Sequence, residues 1–135
     1  MNNGGTSSDA PGEIQPPRDI VERTFDFAVR IVKLSGHLDE QPGVGRVMMP
    51  QILRAGTSVA ANVEEAQAAQ SKADFISKMS ISLKEARETH LRLRLLATAD
   101  VVSEDRIRPL INEAEELKRV LGAIIVSAKR GGNET

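Results

Sequence analysis

Between Ile107 and Ala128, apolar residues fall at Ile107, Leu110, Ile111, Ala114, Leu117, Leu121, Ile124, Ile125 and Ala128. Steps of three and four place all of them on one side of an α-helix, in a heptad-like pattern that no strand can use. Such a stripe must be buried against something, and the rest of the chain offers only more of the same pattern. Val21, Phe25, Ala28, Val32 and Ser35 make one stripe, widened by Phe27, Ile31 and Leu34. Met48, Ile52, Ala55, Val59, Val63 and Ala66 make a second, and Phe75, Met79, Leu83, Ala86, Leu93 and Leu96 a third. No segment alternates strictly apolar and polar, so no half-buried strand is expected.

The breaks between stripes set the helix bounds. Pro17 precedes Asp19, which can cap a first helix over about 19–38. Pro42, Gly43 and Gly45 make a loop of 39–45. Pro50 is tolerated only in a first turn, which predicts a second helix starting near Met48 or Met49 and reaching Ala69. Ser71 with Asp74 three residues later reads as an N-cap with its acidic third residue, opening a third helix that Asp100 ends. Ser103, Glu104 and Asp105 open the fourth, where acids suit the helix dipole. Pro109 allows a local kink, and Gly131 with Gly132 should stop that helix. The expected fold is all-α, an antiparallel up-down-up-down four-helix bundle over 18–130, with a polar Gly/Ser/Pro-rich disordered tail over 1–17 and a disordered C-terminus over 131–135.

Composition narrows the function. The chain of 135 residues is 40% apolar, with three Phe and no Trp, Tyr or Cys. Thiol chemistry, disulfides and zinc–thiolate sites are excluded, and little is available for stacking bases. No signal peptide or apolar run of about 20 residues is seen, so a cytoplasmic protein without membrane contact is expected. The net charge of −1 gives no global attraction to nucleic acid, so any such contact must be local. The third helix supplies a local patch: Lys72, Lys78, Lys84, Arg87, Arg92 and Arg94 against Asp74, Glu85 and Glu88 leave +3 between Ser71 and Ala99. Lys78, Lys84, Arg87, Arg92 and Arg94 are therefore the candidate nucleic-acid contacts, weighed against a solvated face with pairs such as Lys84–Glu88.

The second helix carries a further, polar stripe: Gln51, Arg54, Ser58, Asn62 and Glu65. Ser82, Glu85 and His90 occupy comparable positions on the third. A charge beside a core is costly unless paired, and Glu85 is the natural partner of Arg54. Glu65 or Glu85 as base with Arg54 as anion clamp would suit an active site, but no nucleophile, metal cluster or Glu-x-x-His pair accompanies them. A structural polar seam of Gln51, Arg54, Ser58, Asn62, Glu65, Ser82 and Glu85 is expected, with no catalytic residue, metal, cofactor or small-molecule substrate. The small residues Ala55, Gly56, Ser58, Ala60 and Ala61 suit a close helix contact, within the chain or between subunits. Ile31, Leu34, Ile125 and Val126 exceed what one bundle needs and are candidates for an oligomer contact.

The run from Gln51 to Glu65, QILRAGTSVAANVEE, resembles the four-helix bundle proteins encoded by intervening sequences of bacterial large-subunit ribosomal RNA genes. It follows their pattern Gln-x-x-Arg-x-x-x-Ser-Ile-x-x-Asn-Ile-x-Glu-Gly, with Val59 and Val63 at the Ile positions and Ala66 at the closing Gly. Phe75 and the Ser82–Glu85 step match the third helix, and the likeness spans about 20–129. A related protein is the accessory variability determinant of diversity-generating retroelements, which is strongly basic where this chain is not, so the likeness is to the intervening-sequence branch. The resemblance implies a homopentamer, and its retroelement relative implies contact with a reverse transcriptase and nucleic acid. A non-enzymatic accessory or scaffold protein follows, binding RNA or DNA or a nucleoprotein. The alternative is a protein–protein adaptor without nucleic-acid contact.

Overall fold

A computed structural model describes residues 16–134, with side chains over 20–131. The described chain is four helices: α1 (Pro16–Leu38), α2 (Val44–Gln67), α3 (Lys72–Thr98) and α4 (Glu104–Glu134). They form the expected antiparallel bundle. α1 packs along α2, α2 along α3 and α3 along α4, while α4 closes more loosely onto α1. The expected tail lies outside the described residues as far as residue 15; Pro16 and Pro17 already belong to α1. Proline is at home in a first turn, where its missing N–H has no intrahelical partner in any case.

Three helix bounds differ from expectation: α1 begins at Pro16, so Asp19 lies inside it and does not cap it, and the other two differ for local reasons. α2 begins at Val44, so Pro50 lies in its second turn. Gly43 caps it at φ 141°, a backbone that side chains other than hydrogen avoid. The Gly43 carbonyl accepts the first helical bond from Val47 N–H at 3.2 Å. Arg46 ties this turn back to α1 by donating to the Asp39 carbonyl at 2.9 Å. These contacts hold the turn that Pro50 leaves one bond short. α4 continues through Gly131 and Gly132 to Glu134. Glycine is a poor helix former but stops a helix only when it turns left-handed, and neither glycine has a positive φ.

The remaining ends follow the sequence. Ser71 Oγ accepts from Asp74 N–H at 3.0 Å, capping α3 as expected. At the other end Asp100 takes φ 61°, Val101 N–H reaches the Leu96 carbonyl at 2.9 Å and Asp100 N–H the Ala97 carbonyl at 3.1 Å. That pair of bonds is a Schellman motif, with Asp in the place glycine usually takes.

The core is aliphatic, centred on Phe27, Ile31, Ile52, Val59, Met79, Leu93, Leu117 and Leu121, all 0–1% exposed. The face of α1 is rotated from its expected position. Ile20, Thr24, Phe27, Ile31, Ser35 and Leu38 are buried, whereas Phe25 is 57% and Val32 51% exposed. Ile31 and Ile125 are buried within the chain, Leu34 is half-buried, and of the four candidate oligomer residues Val126 is the exposed one. The small-residue stretch of α2 is also spent inside the bundle at Gly56. A Cβ built there would stand 2.7 Å from both Cγ1 and Cγ2 of Ile31, so α1 and α2 touch where a side chain is missing.

Candidate nucleic-acid interface and polar seam

The seam forms where α2 meets α3, because Arg54 and Glu85 fall at the same height on adjacent antiparallel helices. Arg54 Nη1 donates to both Glu85 oxygens, at 3.2 and 3.3 Å, and Nη2 donates to Glu88 Oε2 at 2.8 Å. Arg92 Nε donates to the same Glu88 oxygen at 3.2 Å. The expected Arg54–Glu85 pair is present, but its burial is lopsided: the Glu85 side chain is 11% exposed and Arg54 51%. The carboxylate sits inside and the guanidinium reaches in from the rim. Glu88 bridges the two arginines. Burial pushes its carboxyl up, but hydrogen bonds from Arg54 and Arg92 outweigh this and hold it below the usual glutamate range.

The other seam residues divide. Ser82 Oγ donates across the helices to the Val59 carbonyl at 2.8 Å, fully buried. Asn62 Nδ2 donates to the Ser58 carbonyl at 2.9 Å, within α2. Glu65 lies on the surface, 3.7 Å from Lys78. Gln51 is exposed and its side chain makes no hydrogen bond among the described residues. The seam therefore consists of the Arg54–Glu85–Glu88 cluster and a separate Ser82–Val59 bond, and it does not extend to Gln51.

The five candidate cations also divide. Lys78 pairs with Asp74 at 3.5 Å and Glu65, and Arg92 is held by Glu88. Lys84, Arg87 and Arg94 are exposed and make no ion pair among the described residues. The Lys84–Glu88 pair does not form, because Glu88 turns to Arg54 and Arg92. Helical spacing puts the three free cations on the outer face of α3 over ten residues, about 15 Å of helix. Ile81, Leu91 and Leu95 share that face at 40%, 49% and 47% exposure.

His90 belongs to a contact that sequence reasoning did not anticipate. Lys118 Nζ lies 3.3 Å from His90 Nδ1, and His90 Nε2 lies 3.2 Å from Glu115 Oε1. An ammonium can only donate, so Nδ1 accepts and Nε2 carries the proton that faces Glu115. Burial, then Lys118, lowers the His90 pKa; Glu115 opposes them without prevailing. Arg23 with Glu113, at 2.9 and 3.2 Å, was likewise unforeseen and ties α1 to α4. A partner 90 residues away leaves no mark in the local pattern. Among the described residues no group of three or more His, Asp or Glu is placed to hold a metal. No helix among them is long and apolar enough to cross a membrane.

A family model described as 23S rRNA-intervening sequence protein matches residues 18–123. The chain belongs to that family. The match runs from the start of α1 through most of α4 and takes in the whole seam. A solved structure described as a protein with unknown function from the S23 ribosomal protein family, from Bacteroides thetaiotaomicron, is 40% identical with a TM-score of 0.76. The alignment covers 82% of this chain and 97% of that one, so this member of the 23S rRNA-intervening sequence family shares most of its length with that relative. A search of curated proteins found no match.

Proposed function

We propose that this protein is a non-enzymatic, homo-oligomeric scaffold, a pentamer by family resemblance, that binds nucleic acid through the outer face of α3. The observation that carries the reading is the set Lys84, Arg87 and Arg94, three cations with no internal partner on one exposed face. An unpaired stripe attracts phosphate backbones locally even when net charge is near zero, and an oligomer repeats it. The name of the family, with its tie to ribosomal RNA genes, agrees with an RNA partner. Self-association is supported by α1. Phe25, Val29 and Val32, at 57%, 37% and 51% exposure, lie on one helix stripe and leave an apolar face that a second copy would cover.

Binding of a short single-stranded RNA, measured over a salt series, tests the reading. Three phosphate contacts per protomer give a slope of log K against log salt near −2, from about −0.7 per contact. Lys84→Glu with Arg87→Glu should abolish binding; unchanged binding would show that the face is only solvated.

A second reading rests on Ile81, Leu91 and Leu95. Phosphates make no use of exposed aliphatic side chains, whereas a protein partner does. In that case the protein is an adaptor, for a reverse transcriptase or a similar partner. One stoichiometric protein would then survive nuclease treatment in a pull-down, and Leu91→Asp would release it.

A further inference from the structure

The loose α1–α4 side of the bundle is closed at one end by Arg23 and Glu113 and open at the other. There a cleft of about 220 Å³ runs between the helices. Its rim is Arg30, Lys33 and His37 from α1 and Arg106 from α4, and its floor includes Leu34 and Leu110. No carboxylate lines it.

The charges on that rim are not neutralised from within. Arg30 and Lys33 make no ion pair among the described residues. Arg106 Nη1 lies 3.2 Å from His37 Nε2. A guanidinium only donates, so that imidazole nitrogen is the acceptor. The histidine therefore orients Arg106 without cancelling its charge. Glu40, whose carboxylate stands 3.6 Å from His37 Nδ1, does not line the cleft. Three cationic side chains thus line one concave surface together with Leu34 and Leu110, and a cleft of one sign with low-dielectric walls concentrates its field.

We propose that this cleft binds the phosphate monoester of an organic ligand. Two guanidiniums match phosphate oxygens in paired geometry, which an ammonium alone does not. A monoester near neutral pH carries between one and a half and two negative charges, so it balances three cations better than a carboxylate does. Leu34 and Leu110 take the apolar or flat part of the ester. The ligand arises as a free small molecule or as the terminal phosphate of a polynucleotide; the chemistry recognised is the same. The site is separate from the outer face of α3 and does not depend on it.

Isothermal titration of the full chain with phenyl phosphate at pH 7.5 and low salt is the direct test, with inorganic phosphate as the bare-anion probe. Phenyl phosphate should bind at least tenfold tighter than inorganic phosphate. Arg30→Gln with Arg106→Gln should weaken it at least tenfold while the helical circular dichroism stays unchanged. Lys84→Glu with Arg87→Glu should leave it unaltered. Absence of heat with phenyl phosphate, equal affinity in the Arg30/Arg106 variant, or loss in the Lys84/Arg87 variant would each overturn the proposal. A short oligoribonucleotide with a 5′-phosphate, set against its 5′-hydroxyl counterpart, separates the two sources. Preference for the phosphorylated end, lost in the Arg30/Arg106 variant, assigns the cleft to chain ends; equal binding of the two, with phenyl phosphate still bound, assigns it to small molecules.

Discussion

Replacing glycine by alanine inside a helix normally stabilises it by about 1 kcal/mol, because alanine has less backbone freedom to lose. Gly56 and Gly122 should answer that substitution with opposite signs. Gly122 in α4 has nothing within 4 Å of the position a Cβ would take, so Gly122→Ala should deliver most of the gain. At Gly56 the new carbon would meet Ile31 Cγ1 and Cγ2 at 2.7 Å and Ile31 Cβ at 3.0 Å. Ile31 cannot swing aside: it is β-branched, fully buried, and its Cβ is fixed to the α1 backbone. α1 and α2 must move apart, at the roughly 1–3 kcal/mol typical of overpacking. Subtracting the propensity gain leaves Gly56→Ala up to about 2 kcal/mol destabilising, and about 1–3 kcal/mol worse than Gly122→Ala. Urea unfolding followed at 222 nm, at one fixed protein concentration so that any self-association contributes equally, measures both. Combining Gly56→Ala with Ile31→Ala should cost less than the sum of the two single losses, since alanine lacks both of the Cγ atoms that the new carbon meets. If Gly56→Ala proves as stabilising as Gly122→Ala, α1 and α2 do not meet at this point and the account of the small residues in α2 is wrong.

Three further outcomes follow from charge and exposure. Glu88 is held below its ordinary value, so its stabilising pairs are intact above about pH 4.5 and are lost as pH falls through its lower folded value; Glu88→Gln should flatten that part of an acid-unfolding curve. His90 binds its proton less readily when folded than unfolded, so it favours the folded state fully above about pH 6.5 and less as pH falls below that. Its ring proton should titrate below 6.5 by NMR, and a midpoint above that value would mean that Glu115 outweighs burial and Lys118. Phe25→Glu should lower the apparent mass in solution without lowering helical content, since the side chain is 57% exposed; an unchanged mass would remove α1 from any subunit contact.

The helices were legible because their stripes and caps are local. Ser71 with Asp74, Asp100, and the stripe from Ile107 to Ala128 each announce themselves within a few residues. The rotation of α1 was not, and the reason is visible in its sequence. Phe25 and Phe27 point to nearly opposite sides of one helix, and apolar residues cover more than half its circumference. Only the partners of α1 decide which phenylalanine is buried, and Gly56 decides it by admitting Ile31. The Arg54–Glu85 pair could be inferred because a charge beside a core needs a counter-charge and one lay on the next helix. Glu88 could not, since i, i+4 spacing offered Lys84 while the fold offered Arg54. The α1–α4 cleft was hidden for the same reason: nothing in the local pattern groups Arg30, Lys33 and Arg106, which only the packing of two helices distant in sequence brings to one cleft.

Light scattering on a sizing column, with mass from refractive index and a full ultraviolet spectrum of the peak, tests the central claim most directly. Without Trp or Tyr the protein barely absorbs near 280 nm, so co-purifying nucleic acid would dominate the spectrum. The account predicts a protein component near five times 14.6 kDa, carrying a nucleic-acid band that Lys84→Glu with Arg87→Glu removes. A monomer of 14.6 kDa with no such band would contradict it.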